Sequence, residues 1–301
     1  MSGATVRVTG TLCAVVLTAA FGARSVAAGD RQERTKIAFS CRGQICTMNG
    51  DGGAQYRLTH DTHTVDGYPS WSPDGSRLVF TAGLGDKTVL YTMNADGSDR
   101  ERLTPSLGDD AMAAWSPDGG TIALDDNLSG RIELMNADGS GRRPLTSGEA
   151  SLPTWSPDGS KLAFVSGNGR NLALTSGDVY VINADGSGQR LLTRNGTFPA
   201  WSPDGGRIAF LRNTRHRSSH VGVWIMNADG TGKHRIWSHS LEGGGISWSP
   251  DGTRIALTNE DGICAINSHG GSFRQLERGW GGGADDNPAW QPSPGSPAPI
   301  D

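Results

Sequence analysis

Apolar residues along this chain come in runs of four or five, separated by clusters of Pro, Asp, Asn and Gly. Arg77-Leu78-Val79-Phe80-Thr81 and Val89-Leu90-Tyr91-Thr92-Met93 are typical. Both runs are β-prone and too short for a helix, so they predict strands. Between such runs stand Ser72-Pro73-Asp74-Gly75 and Asn94-Ala95-Asp96-Gly97. In the first phrase Pro presets φ for a type I turn, Asp suits the next position and Gly takes the positive φ that follows; the second has the same grammar. Each phrase predicts a hairpin turn with a glycine bulge. One unit then has four antiparallel strands: one ending at Trp71, one at 77–81, one at 89–93 and a polar one at Asp99 to Leu103. Apolar side chains occur on both faces of the middle strands, so each small sheet needs cover on both sides.

The unit repeats. Trp-Ser-Pro-Asp-Gly begins at Trp71, Trp115, Trp155, Trp201 and Trp248, and a decayed form begins at Trp290; the spacings are 44, 40, 46, 47 and 42 residues. Periods of this length belong to stacked units or blades. Six small sheets, each covered by two neighbours, predict an all-β six-bladed β-propeller. Near the start, Ile37-Ala38-Phe39, Ile45 to Met48 and Tyr56 to Thr59 match the second, third and fourth strands, but no repeat phrase precedes them. The missing strand is found at Pro288-Ala289-Trp290. The first blade is therefore expected to be closed by both termini, which hides edge strands that invite aggregation.

The full phrase, Pro-x-Trp-Ser-Pro-Asp-Gly, then Ile-Ala-Phe, then Tyr-x-Met-Asn-x-Asp-Gly, then Leu-Thr, resembles the WD40-like PD40 repeat of the TolB family of propellers. The resemblance covers residues 37–290. It implies a six-bladed propeller of the bacterial cell envelope that works chiefly by binding other proteins. TolB itself carries an α/β domain ahead of its propeller, whereas here only Gly29 to Lys36 separate a leader from the first strand. Related propellers precede an α/β-hydrolase domain in the prolyl oligopeptidase family, but no Gly-x-Ser-x-Gly nucleophile elbow occurs in this sequence.

Residues 1–28 have the layout of a secretory signal peptide, with Arg7, an apolar run from Leu12 to Phe21 and the small residues Val26-Ala27-Ala28. Such a run is too short to span a bilayer, which needs about 20 residues. The expected organisation is a leader at 1–28, a short linker at 29–36, the propeller at 37–290 and a proline-rich disordered tail at 291–301. An exported monomer, periplasmic or extracellular, is expected. The net charge of −4 and the absence of a basic run leave no electrostatic footprint for nucleic acid. Cys41 and Cys46 flank one hairpin loop and make a feasible disulfide. Cys264 sits on an adjacent sheet, about 10 Å away, and is expected as a buried free thiol.

Candidate chemistry is sparse. The Asp-Gly phrases lack the further oxygen ligands of an EF-hand. Gly83 to Thr88 joins two strands and has no phosphate-loop spacing. His216 and His220 lie in a basic stretch that opposes a cation. The turn phrases all emerge on one rim, and the other rim collects the loops that differ between blades, which is where binding is usually placed. On that rim Asp66, Tyr68, Asp109, Asp110, Glu149, Phe198, Glu242, Asp285 and Asp286 are expected to converge on the channel mouth, with Arg212, Arg215, Arg217 and His220 in an outward basic loop. The expected function is non-catalytic binding of a protein or envelope polymer through this rim, without a cofactor. The alternative is a metal-dependent lyase or hydrolase with a divalent cation at the acidic mouth.

Overall fold

The computed structural model describes residues 35–105, 108–167, 177–213, 221–238, 244–259, 261–277 and 287–293. The leader, residues 172–175 of one rim loop, Arg215, Arg217, His220, Glu242, Asp285, Asp286 and the tail beyond Ser293 lie outside the described residues.

The first blade supplies β1 (Lys36–Cys41), β2 (Gln44–Asn49) and β3 (Tyr56–Arg57). The second holds β4 (Val65–Trp71), β5 (Arg77–Leu84), β6 (Lys87–Asn94) and β7 (Glu101–Arg102). The third holds β8 (Asp110–Trp115), β9 (Thr121–Asp126), β10 (Arg131–Asn136) and β11 (Arg143–Pro144). The fourth holds β12 (Ser151–Trp155), β13 (Lys161–Ser166), β14 (Asp178–Asn183) and β15 (Arg190–Thr193). The fifth holds β16 (Thr197–Trp201), β17 (Arg207–Asn213), β18 (Val221–Asn227) and β19 (His234–Trp237). The sixth holds β20 (Ile246–Trp248), β21 (Arg254–Asn259), β22 (Gly262–Asn267) and β23 (Arg274–Gln275), and the chain returns to the first blade as β24 (Ala289–Trp290). The result is six four-stranded sheets, the first in the order β24-β1-β2-β3. Each blade runs down its inner strand, up the second, down the third and up the short outer one.

Strand limits differ from the sequence expectation in an instructive way. β5 and β6 extend to a two-residue turn, Gly85-Asp86, with Leu84 paired to Lys87 and Gly85 at φ +69°. The outer strand β7 is shorter than expected because Asp99 adopts φ +51°, which takes it off the ladder.

The turn phrase works through its serine. Ser72 Oγ accepts from the Arg77 amide at 2.9 Å and donates to Asp74 Oδ1 at 2.6 Å, while the Gly75 amide donates to Ser72 O at 2.8 Å. The Ser–Asp contact recurs at Ser116, Ser156, Ser202 and Ser249. The hydroxyls hold these carboxyls below the ordinary range: Ser72 brings Asp74 to about 2, and Ser116 and Ser202 lower Asp118 and Asp204. In the second turn of each unit Ser98, Ser140, Ser187 and Thr231 lower Asp96, Asp138, Asp185 and Asp229 in the same way. A carboxyl whose native pKa lies below its unfolded value stabilises the fold above the unfolded pKa and loses that effect as pH falls through the native one. Through these turns, thermal midpoints should decline as pH falls from about 4 to about 2. A midpoint independent of pH across that window would contradict the turn chemistry.

Six apolar clusters fill the six blade interfaces. Phe39, Phe80, Phe164 and Phe210, all on second strands, are among the largest fully buried side chains. Tryptophans of the inner strands also stitch neighbours together. The indole N–H groups of Trp71, Trp155 and Trp248 donate to the carbonyls of Ala289, Ala114 and Ala200 at 3.0, 3.2 and 3.1 Å. The guanidinium carbons of Arg207 and Arg254 lie 5.0 and 5.1 Å above the rings of Trp248 and Trp290, within cation–π range.

Cys41 and Cys46 are joined in a disulfide across the β1–β2 hairpin, with Cα atoms 5.9 Å apart. Cys264 is buried and free, and burial pushes its thiol up to about 12. Because the thiolate is the reactive form, the chain from residue 29 should take up no alkylating reagent at neutral pH while folded and one equivalent, at Cys264, once unfolded without reductant. Mass spectrometry of the native and denatured reactions checks this.

Candidate functional site: the central channel and its loop-rim mouth

The six inner strands enclose a channel of about 510 Å³. Its wall repeats: each tryptophan, the three residues before it and the proline two after it line the space. Tyr68, Met112, Leu152, Phe198, Gly245 and Asn287 form the ring at the loop rim, and Pro73, Pro117, Pro157, Pro203, Pro250 and Pro292 the ring at the turn rim. Between them stand the six tryptophans, and among the described residues no Asp, Glu, Lys or Arg lines the channel.

Four members of the loop-rim ring hold a conformation that L side chains disfavour. Tyr68, Met112, Leu152 and Phe198 have φ of +53°, +50°, +58° and +48°. Each sits where its strand slips register against the second strand, as a β-bulge. Left-handed backbone costs about 1–2 kcal/mol per non-glycine residue, so something must hold it. Part of the answer is a hydrogen bond across the blade boundary. The Met112 amide donates to Thr81 Oγ1 at 3.0 Å, and the Leu152 amide donates to Asp125 Oδ1 at 3.1 Å. Thr81 and Asp125 are equivalent positions on β5 and β9, each in the blade preceding the residue it holds.

Asp125 is 3% exposed, and burial pushes its carboxyl well above the ordinary range. A carboxyl that binds its proton more tightly when folded favours the native state at low pH and loses that contribution as pH rises from about 4 towards the raised native value. Asp125→Asn keeps an acceptor for Leu152 and removes the titration. The variant should melt higher than the wild type at neutral and alkaline pH, with the gap closing as pH falls towards 4. A gap that is constant or reversed would contradict this assignment.

The acids expected at the mouth are placed otherwise. Asp66 is 1% exposed, and Arg100 reaches it at 3.2 Å while its guanidinium carbon lies 4.5 Å above the Tyr91 ring. Burial still pushes the Asp66 carboxyl up, outweighing the Thr64 hydrogen bond and the Arg100 charge. Asp110 is wholly buried and accepts two hydrogen bonds from Arg142, at 3.0 and 2.7 Å; Arg142 also pairs with Glu133 and lies 3.7 Å from Asp126. Burial opposes the charge on Arg142, but Asp110 and Glu133 outweigh it and hold the guanidinium firmly charged. Asp109 accepts from the Thr88 amide and hydroxyl at 3.1 and 2.7 Å, and Glu149 is exposed. None of Asp66, Asp109, Asp110 and Glu149 lines the channel, whereas Tyr68 and Phe198 do. The cause is the bulge. Simple alternation gives the fifth and third residues before the tryptophan the same face, and the inserted residue turns the third into the channel while the fifth stays in the blade interface. Arg212, on β17, lies with its guanidinium carbon 5.2 Å above the Trp224 ring.

Sequence reasoning missed Met112, Leu152, Asp125, Arg100 and Arg142. One signal for the arginines was present: Asn-Ala-Asp-Gly-Ser-x-Arg occurs in the second and third blades, where Asp66 and Asp110 stand five residues before the tryptophan, although Asp285, five before Trp290, has Gln55 at the matching place. Where Ala150 and Gly196 take that place, Gln189 and Lys233 replace the arginine. Among the described residues no group of three His, Cys, Asp or Glu is placed to hold a metal ion, and no helix is long and apolar enough to cross a membrane.

The family model of the TolB beta propeller domain matches residues 35–166 and 145–295. The chain belongs to the TolB β-propeller family. An uncharacterised protein of Agrobacterium fabrum is 32% identical over 105 residues, 32% of this chain and 36% of that protein. The Tol-Pal system protein TolB of Thioalkalivibrio sulfidiphilus is 35% identical over 85 residues, 24% of this TolB-like propeller and 19% of its own length. The matched parts thus span about a third and a fifth of those relatives. The crystal structure of TolB from Acinetobacter baumannii superposes with a TM-score of 0.69 at 22% identity, over 87% of this chain and 68% of that one, a likeness of fold.

Proposed function

We propose that this TolB-like propeller is an exported, non-catalytic binding protein that engages a protein partner at the loop-rim mouth of its channel. The observation that carries the reading is the ring of Tyr68, Met112, Leu152 and Phe198. Backbone strain at equivalent positions of four blades, directed into one mouth, is of the kind that functional sites retain and the surrounding structure offsets. Tyr68, Met112 and Leu152 are half-buried, leaving an apolar and aromatic surface of the sort that anchors protein interfaces. Membership of the TolB propeller family supports the same direction, and the leader-like residues 1–28 support export. A cation at an acidic mouth gains no support from the geometry, since Asp66 and Asp110 are each paired with an arginine.

The test is capture from a cell-envelope extract by immobilised wild-type chain and by a Met112→Lys/Leu152→Lys variant. A discrete protein retained by the wild type and lost from a variant of unchanged thermal midpoint is expected. A protein held equally by both would remove the ring from the binding site, and retention of polysaccharide alone would replace the protein partner with an envelope polymer.

A further inference from the structure

On the turn rim, neighbouring blades leave a gap beside each tryptophan, and the chain fills it in more than one way. In the fifth and sixth blades the residue six after the tryptophan, at the start of the second strand, covers the tryptophan of the next blade. These are Arg207 over Trp248 and Arg254 over Trp290, at 5.0 and 5.1 Å. Arg254 Nη1 also donates to Gly50 O, in the turn between β2 and β3, at 3.2 Å. Between the first and second blades, where Lys36 holds the position, the Gln291 side chain closes the gap instead, with Nε2 donating to Gly75 O at 2.9 Å. Between the fourth and fifth blades the sequence supplies neither filling. The position is Lys161, whose Nζ lies 3.4 Å from Ser160 Oγ, and the counterpart of Gln291 is the short Ser156. A cavity of about 370 Å³ remains there.

We propose that this cavity binds an arginine side chain of a polypeptide partner, whose guanidinium takes the place over Trp201 that the chain's own arginines take over Trp248 and Trp290. It lies on the opposite rim from the Tyr68 ring and does not depend on that ring binding anything.

The wall has the matching groups. Trp201 is half-buried and forms part of it, with Gly205, the counterpart of Gly75, and Ala228, the counterpart of Gly50. The Ala228 carbonyl accepts from Arg190 Nη2 at 3.4 Å, and a carbonyl oxygen has a second lone pair for another donor. Charge points the same way. Asp158, Asp204 and Asp229 line the cavity against Lys161 and Arg190, and Arg190 is engaged with the Asp229 carbonyl at 2.9 Å. The Ser202 and Thr231 hydroxyls hold Asp204 and Asp229 below the ordinary carboxylate range, so both are charged at neutral pH. All three aspartates are exposed, so the excess of carboxylates faces the solvent from which a basic segment would arrive. A guanidinium suits this wall better than an ammonium does. It is flat, stacks on an indole and still donates in its own plane to carboxylate and carbonyl oxygens. The volume is at the low end for ligand sites, which fits one long side chain.

The experiment follows the indole N–H resonances of the isotope-labelled chain from residue 29, with that of Trp201 assigned by its loss in Trp201→Phe. The probe is N-acetyl-arginine methylamide. A saturable shift of the Trp201 resonance is expected at millimolar probe, with binding at least about tenfold weaker for the lysine analogue and absent for the neutral citrulline analogue. Lys161→Arg supplies the missing guanidinium from the chain itself and should abolish the response without lowering the thermal midpoint. Should that variant melt early, Asp204→Asn/Asp229→Asn keeps acceptors for the Gly206 and Thr231 amides, leaves one carboxylate against two cations and should weaken binding about fivefold or more. An unmoved Trp201 resonance, equal binding of the arginine and lysine probes, or undiminished binding to either folded variant would overturn the proposal. Free arginine binding at least about tenfold tighter than the capped probe would make the amino acid the ligand and overturn the polypeptide partner. Capture at the loop rim is read by Met112→Lys/Leu152→Lys and not by this titration, so the two proposals fail separately.

Discussion

A chain ending at Gly283 should melt far below one ending at Pro292, although the two differ by only nine residues. The shorter chain lacks β24. In the intact protein Ile37 pairs with Trp290 and Ala38 with Ala289, the Trp290 amide donates to Ser247 Oγ at 3.0 Å, and Ala289 O accepts from the Trp71 indole. Trp290 itself is 6% exposed, and the Arg254 guanidinium lies above its ring. Removing a buried tryptophan side chain alone costs about 3–5 kcal/mol, and each lost hydrogen bond adds about 1 kcal/mol. At about 2–4 °C per kcal/mol for a domain of this size, a fall of more than ten degrees follows. Loss of β24 also leaves the inner edge of β1 open, so the shorter chain should aggregate sooner on heating. Trp290→Ala in the longer chain separates the contributions and should give part of the fall. Equal midpoints for the two chains would rule out closure of the first blade by β24.

Much of this was written in short-range grammar. Pro73, Asp74 and Gly75 announce their turn wherever they stand, the β-prone runs announce strands, and six copies in register announce the ring. The split blade was readable because Trp290 had no strand of its own to precede and Ile37 had none before it. The disulfide was readable because a hairpin brings Cys41 and Cys46 together whatever lies around them. The site was far less legible, since its geometry depends on contacts between blades. Nothing in Met112 or Leu152 marks a residue for left-handed backbone; the bulge is held by Thr81 and Asp125, which lie 31 and 27 residues earlier. For the same reason Asp66 and Asp110 looked like a channel mouth. Their burial follows from the bulge, and only the companion arginines, Arg100 and Arg142, hinted at it.

That pairing carries the second large effect. Arg142→Met should destabilise the protein by about 3 kcal/mol, because breaking a buried pair from one side costs about 3–5 kcal/mol and the Arg142 side chain, 31% exposed, keeps some access to water. The cost falls on what remains: Asp110 loses both of its guanidinium hydrogen bonds at a site that is wholly buried. Asp110→Asn in the same chain removes the stranded charge, so the double variant should regain most of the loss, and a cycle of the four proteins in urea denaturation should show strong coupling. Arg100→Met is expected to cost less, since Asp66 shares its guanidinium with Asp61 and Thr64 and its carboxyl already sits above the ordinary range. Additive losses in the Arg142 cycle would mean that the pair is incidental to the fold and that Asp110 keeps its charge by some other means. Strong coupling would instead explain why an acidic residue lies beside the channel without serving it: the charge is spent in tying the inner strand β8 of the third blade to the turn between β10 and β11 of the same blade.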